Sequence, residues 1–403
     1  MDYDILISGA GPAGLCLARA LSGCGLSIGV VEPQPLAALE NPAYDGREIA
    51  LTQRSAQHMR ALGLWERIEA YEPTAFSALR DAQVLDGHSR YAMRIEHALS
   101  RYDELGWLVS NHLIRRAAYA ETRAAADKNG DITLLAGDSV AKAHTDAQGA
   151  KVQLASGKAL TAQLLIAADS RFSGTRRAMG ISADMHDYGR SMLLCTMTHE
   201  VPHQHVAWEW FGYGQTLALL PMNDAPETGA HRSCVVLTLP HHQLEGLEKL
   251  AAPEFGEALT ARFGQRLGRM ELASTRHLYP LVGVRPHRLV AERFACVGDA
   301  AVGMHPVTAH GFNFGLLGIA TLADAIRGAQ LAGTDIAARR LLADYERAHR
   351  RATLPLYLAT NLVARLYTDD ARPARLLRGA ALRLAQNFPP FKRMVAASLS
   401  GSH

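Results

Sequence analysis

The sequence predicts an α/β fold: a discontinuous Rossmann-like nucleotide-binding domain, an inserted and mostly antiparallel β domain, and a helical C-terminal tail. Three observations predict it. Residues 3–8 (YDILIS), the glycine turn GAGPAG, a helical pattern through Leu21 and the apolar run 26–31 (LSIGVV) spell one βαβ unit. A second strand-to-turn segment, FACVGDAA at 294–301, has the same character. Between them, residues 185–240 carry the β-like runs MLLCTMT, HVAWEWF, TLALLPM and SCVVLTL, separated by loops rather than helices, which suits antiparallel pairing.

Taken in order, helices are expected over 53–70 and 110–127. Alternating strands follow over 132–168, closing on LLIAAD. Further helices are expected over 243–267 and 313–333, with a helical tail from 340 onward. A chain of 403 residues is long for one core, so two interlocked lobes follow. The expected division puts 1–75, 106–182 and 280–345 in the nucleotide-binding domain, 76–105 and 183–279 in the inserted substrate domain, and 346–403 in the C-terminal segment.

An apolar fraction of 48% and a charged fraction of 20% describe an ordinary globular enzyme. The formal charge of +3 is too mild for a nucleic-acid partner. Five cysteines (Cys16, Cys24, Cys195, Cys234 and Cys296) are scattered, odd in number and without a C-x-x-C. That argues against a disulfide framework or zinc site and for a reducing compartment. No charged-then-apolar signal precedes the expected first strand, and no apolar run approaches the roughly 18 residues of a membrane span. A cytoplasmic protein is expected, at most peripheral to the inner face of the membrane. No metal spacing such as H-E-x-x-H occurs, nor a G-x-S-x-G.

Gly9, Gly11 and Gly14 fit G-x-G-x-x-G directly after a strand, with Ala13 in the same turn. Gly9 permits the turn, Gly11 lets a pyrophosphate approach the backbone, and Gly14 lets the helix pack close to the sheet. The phosphates then meet the free N–H groups of a helix N-terminus. Glu32 ends the next strand, where a carboxylate accepts ribose hydroxyls. This turn alone does not separate FAD from NAD. The segment 294–315, FACVGDAAVGMHPVTAHGFNFG, does. A strand ends in Gly298-Asp299, a carboxylate placed to accept a ribityl hydroxyl. Gly311, Phe312 and Asn313 then open a helix whose N–H groups can face the electron-rich edge of an isoalloxazine.

These motifs, with Arg47 in DGREIALTQRS and DSRFSGTR at 169–176, resemble the group A FAD-dependent aromatic hydroxylases, which share the p-hydroxybenzoate hydroxylase-like fold. The set spans most of the first 330 residues in the right order. Within that group, R-x-x-A-L from Arg47, YPL at 279–281 and HPVTAHGFNFG are most similar to the ubiquinone-biosynthesis hydroxylases, whose usual string is close to HPIAGQGFNLG. Two departures stand out. The usual D-G is Asp169-Ser170, losing a permissive glycine, and the usual GQG is Ala309-His310-Gly311.

The resemblance implies a resident FAD. Gly9, Gly11, Gly14 and Glu32 would meet its ADP half. Arg47 would lie near the pyrophosphate or serve NADPH, and Asn111 would be a flavin-contacting polar group. Asp169 has a cofactor-side role or serves as a structural acceptor. Asp299 would meet the ribityl chain, and Gly311, Phe312 and Asn313 the isoalloxazine. Pro306 would line the reaction cavity. It also implies O2 as co-substrate and NAD(P)H as a transient donor, since no second G-x-G-x-x-G occurs. The implied activity is hydroxylation, through a flavin C4a-hydroperoxide, of a polyprenylated phenol or benzoquinol in ubiquinone biosynthesis, for example demethoxyubiquinol. A phenol reacts better as its anion, so a base helps; His305 and His310 are the candidates, against purely structural roles. Trp208, Trp210 and Phe211 either pack the sheet or line the substrate cavity. The alternatives are a monooxygenase of a soluble aromatic, a flavin-dependent isoprenoid reductase, and a flavin-binding subunit with vestigial activity. In the tail, Arg372, Arg375, Arg378 and Arg383 share one helix side and Leu376, Leu377, Ala380 and Leu384 the other. Such a helix suits a membrane surface, a biosynthetic complex or the catalytic lobe itself. Asn387-Phe388-Pro389-Pro390 interrupts the pattern.

Overall fold

The structure is a computed structural model, which describes residues 1–87, 89, 91–212, 214–304, 310–368 and 382–401. Its first sheet runs Val290–Ala291, Phe294–Cys296, Ala159–Ala167, Tyr3–Ser8, Ile28–Glu32, Ile132–Ala136. The four central pairings are parallel. Ile5, Leu6 and Ile7 in its middle are fully buried, as a strand covered on both faces requires. The antiparallel strands Val140–Asp146 and Gly149–Leu154 extend it over Ala159–Ala167. The helices Pro12–Leu21, Asn111–Asn129 and Gly311–Leu331 pack into one core with this sheet.

The second sheet runs Met270–Leu272, Ala183–His199, His231–Pro240, Thr216–Met222, Val206–Phe211, Asp81–Asp86, Ala92–Ile95, with His277–Pro286 also on Ala183–His199. One pairing differs from the antiparallel expectation: Val206–Phe211 lies parallel to Asp81–Asp86. The two segments belong to distant parts of the chain, so no short hairpin constrains their direction. A small third sheet of Glu48–Thr52, Gly106–Ser110 and Ser77–Leu79 lies outside any sequence expectation. Its strands are too short and too far apart to announce themselves as a unit.

Other differences have local causes. The helix expected over 53–70 divides into Gln53–Ala61 and Leu64–Tyr71 at Gly63, whose φ is 80°. The one expected over 243–267 divides into His241–Glu248 and Ala252–Arg262. Pro389-Pro390 does not end helical structure. It starts the helix Pro389–Ser400, because proline suits the first turn where N–H groups have no partner. Phe391, Val395 and Leu399 of that helix pack with Leu79, Met93, Ile95 and Leu108. Arg372, Arg375, Arg378, Leu376, Leu377 and Ala380 lie outside the described residues.

Candidate active site

A cleft of about 800 Å³ joins the glycine turn of the first sheet to one face of the second. At its first end Gly9 has φ 106°, and a Cβ there would stand 2.6 Å from Ala168 O. A Cβ on Gly14 would collide with the carbonyl of Gly9, so the helix can approach the turn only as glycine. Gly11 is different: nothing lies within 4 Å of where its Cβ would be. Its side of the turn is open, next to the N-terminus of Pro12–Leu21. Glu32 accepts the Ala10 N–H at 2.7 Å and the Gln34 N–H at 3.1 Å, which fixes its carboxylate at the cleft wall with lone pairs remaining for hydroxyls.

Midway, Asp45 gathers the polar groups. Its Oδ2 accepts from Arg47 at 2.6 Å and from the Asn111 amide at 2.7 Å, and its backbone carbonyl accepts from Tyr279 Oη at 2.8 Å. Burial works against ionisation of Asp45, but Arg47 and Asn111 hold its carboxyl below the usual carboxylate range. Arg47 thus reaches the cleft as one half of an ion pair. Asp169 accepts from the Thr175 N–H and Oγ at 3.0 and 2.9 Å through Oδ2. Its Oδ1 is buried and, among the described residues, has no partner. Asp299 accepts from Arg171 at 3.0 Å beside Gly298, whose φ is 60° and whose Cβ would strike Ala13.

Gly9, Gly11, Ala13, Glu32, Arg47, Asn111, Asp169, Gly298, Asp299, Gly311 and Phe312 all line this cleft. Gly14 serves the helix–turn approach behind it. Asn313 is not on the wall but under it. Its Oδ1 accepts from Thr52 N at 3.0 Å and its Nδ2 donates to Ala50 O at 2.8 Å. His310 is buried, and its Nε2 lies 3.3 Å from the Ser398 carbonyl, against the last helix rather than in the cleft. His305 and Pro306 lie outside the described residues. Of the aromatic run, Trp210 packs in the core behind the sheet and Trp208 against it, while Phe211 faces the cleft.

Sequence reasoning passed over two carboxyls. Glu48 has a buried Oε1 without a partner among the described residues, and burial pushes its pKa up to about 8 against the pull of the Ser110 hydroxyl. Glu209 stands on the cleft face of the second sheet. A signal existed for it: in HVAWEWF it is the lone charge between two tryptophans, hence on the opposite face of the strand. An open anion-receiving turn, a fixed ribose acceptor, an orphaned carboxylate oxygen at Asp169 and a second helix N-terminus at Gly311 fit FAD laid along the cleft.

Comparison with known proteins agrees with that fit. The family described as FAD binding domain matches residues 2–355. The ubiquinone hydroxylase UbiM of Neisseria meningitidis is 45% identical over 405 residues, covering 100% of this chain and 85% of the relative. The ubiquinone hydroxylase UbiL of Rhodospirillum rubrum is 32% identical, covering 99% and 90%. The ubiquinone biosynthesis monooxygenase COQ6 of Homo sapiens is 27% identical, covering 99% and 92%. Among solved structures, p-nitrophenol 4-monooxygenase PnpA of Pseudomonas putida shares the fold, with a TM-score of 0.76 at 17% identity over 99% of this chain and 98% of that one.

Proposed function

The chain belongs to the FAD-binding domain family, and from that premise we propose that it is an FAD-dependent monooxygenase that hydroxylates the ring of a polyprenylated phenol or benzoquinol on the way to ubiquinone. The observation that carries this reading is the continuity of the cleft. One wall is the glycine turn, and the far floor is the apolar face of a separate sheet, with Leu194, Ala218, Leu220 and Val236 beneath it. A dinucleotide and an apolar ring compound can therefore share one enclosure.

FAD, when bound, supplies O2 activation and oxygen transfer, with electrons from a nicotinamide donor. The protein's own part is to bind, orient and exclude water. Gly9, Gly11 and Gly14 leave room for phosphates at the helix N-terminus, and Glu32 takes ribose hydroxyls. Arg47, oriented by Asp45, balances phosphate charge. Asp299 and the free Oδ1 of Asp169 are acceptors for the central part of the cofactor. The N–H groups at Gly311 and Phe312 favour electron-rich groups by the helix dipole. The division into a discontinuous FAD lobe, an inserted substrate lobe and a C-terminal segment belongs to the same reading. So does contact of the tail with a lipid surface. Leu384, Phe388 and Met394 are exposed there, and Arg383, Lys392 and Arg393 lie close to them in sequence.

The deciding experiment is quinone profiling of a deletion strain, with the purified protein examined for flavin absorbance. Loss of ubiquinone with accumulation of an under-hydroxylated prenylated precursor is expected. Unchanged ubiquinone without a precursor would refute the reading.

A further inference from the structure

The second sheet presents two parallel rows of side chains to the cleft. Strand pairing aligns Glu209 with Ala218, Val236 and Leu194 in one row, and Phe211 with Thr216, Thr238 and Met192 in the next. On its other side Glu209 is aligned with Val84. One carboxyl therefore stands on a floor that is otherwise aliphatic, aromatic or hydroxyl-bearing. A one-residue slip would send it into the core, and the flanking tryptophans prevent that. Trp210 is packed against Phe263 behind the sheet and donates its indole N–H to the Gly87 carbonyl at 2.8 Å.

Resting on the function proposed above, we infer that Glu209 is the catalytic group that accepts the proton of the substrate's ring hydroxyl. The O–H bond of the phenol breaks and an O–H bond forms on a Glu209 oxygen. The electron pair stays on the phenolate oxygen and enriches the ring carbons that take up oxygen. When the product's hydroxyl is reprotonated, the proton returns from Glu209.

Three observations support the assignment. Glu209 lines the cleft and, among the described residues, has no hydrogen-bond or ion-pair partner, so its acceptor capacity is unspent. Burial alone pushes its pKa up to about 8, nearer that of a phenol than an ordinary carboxylate and close to a working pH, which suits a general base. The surrounding groups leave that role to it. Its own strand and Thr216–Met222 carry no other titratable side chain, and Asp81–Asp86 contributes only its two end residues. Asp81 is engaged by His97 at 2.8 Å, and Asp86 is aligned with Phe211, not Glu209. The other ionisable groups on the cleft wall lie on the FAD-facing elements: Glu32, Arg47, Glu48, Arg115, Asp169, Arg171 and Asp299. Of these, Glu32, Arg47, Arg115, Asp169, Arg171 and Asp299 have protein partners, and the Oε1 of Glu48, unpartnered among the described residues, is buried away from the open cleft.

The test uses the full-length holoprotein with a geranyl-substituted methoxyphenol, a nicotinamide donor and O2. Wild-type kcat should rise with pH along a single limb near 8. Glu209→Gln should lose that limb and about 10²-fold or more of kcat, with oxygen diverted to hydrogen peroxide. Its FAD content, flavin reduction and the perturbation of the flavin spectrum by the phenol should persist. Glu209→Asp should recover part of the limb, which a merely structural carboxyl would not do. An unchanged pH limb and kcat in Glu209→Gln would overturn the inference. If Glu209→Gln does not hold FAD, Glu209→Asp decides: a limb and kcat identical to wild type would count equally against it. A wild-type protein that neither binds nor hydroxylates the phenol would instead refute the proposed function.

Discussion

Ser170 sits at φ 91°, in backbone territory that a side chain enters only under strain. It stands where the resembling family carries glycine, it is exposed, and its carbonyl accepts from the Ser173 N–H at 3.1 Å. The strain of about 1–2 kcal/mol is partly offset by the lower unfolded-state entropy of serine, about 0.5–1 kcal/mol. Ser170→Gly should therefore stabilise the protein by about 0.5–1 kcal/mol, read as a higher midpoint in denaturant with unchanged slope. Glu48 gives a pH-dependent case at the same scale. Its folded pKa of about 8 lies above the ordinary 4.5. The folded state holds the proton more tightly, so the stability it contributes is full below 4.5 and is lost as pH rises through 8. Glu48→Gln, neutral and nearly isosteric, should flatten the decline of melting temperature across that window. Melts at the two ends that keep the wild-type difference would contradict it. Glu209 titrates over the same range, so the flattening should be partial in the single variant and greater with Glu209→Gln added.

At the scale of an element, the helix Gly311–Leu331 owes its position to Asn313. Both ends of its amide are bonded to the strand Glu48–Thr52. It sets where the N–H groups of Gly311 and Phe312 point, from one layer below the cleft. Asn313→Ala leaves the Thr52 N–H and the Ala50 carbonyl without their partner in a buried place. Each unsatisfied group costs about 1–3 kcal/mol, so a loss of about 2–6 kcal/mol is expected, together with faster release of FAD on dilution. Thermal melts of the cofactor-stripped protein separate the two effects, because a helix still correctly placed would show normal release. His310 tells a similar story. Its ring meets the Ser398 carbonyl of the last helix, so the position that looked catalytic in the string HPVTAHGFNFG ties the tail to the start of this helix.

Across the whole molecule, the legible parts were those with a local code. The Gly9–Gly14 turn and Gly298 announce themselves because a positive φ or a close approach there demands glycine, and Glu32 because it closes a strand. The third sheet, the parallel pairing of Val206–Phe211 with Asp81–Asp86 and the amide bonds of Asn313 depend on partners distant in sequence, 261 residues away for Thr52 and Asn313. No local pattern encodes such a pairing. The cleft is itself a product of these long-range pairings, since its walls come from different sheets, and that yields a prediction for the molecule as a unit. A ligand that spans both walls stabilises them together, by about 4 kcal/mol when present at 1,000 times its dissociation constant. Removing FAD should lower the melting temperature and separate the melting of the two sheets. On the proposed placement of the cofactor, ADP reaches only the wall formed by the first sheet, so it should raise the transition of that sheet and leave that of the second where it was. Calorimetry of the stripped protein with FAD, with ADP and without either makes the comparison. Equal rescue by ADP and FAD would mean that the far half of the cofactor makes no contact linking the two walls.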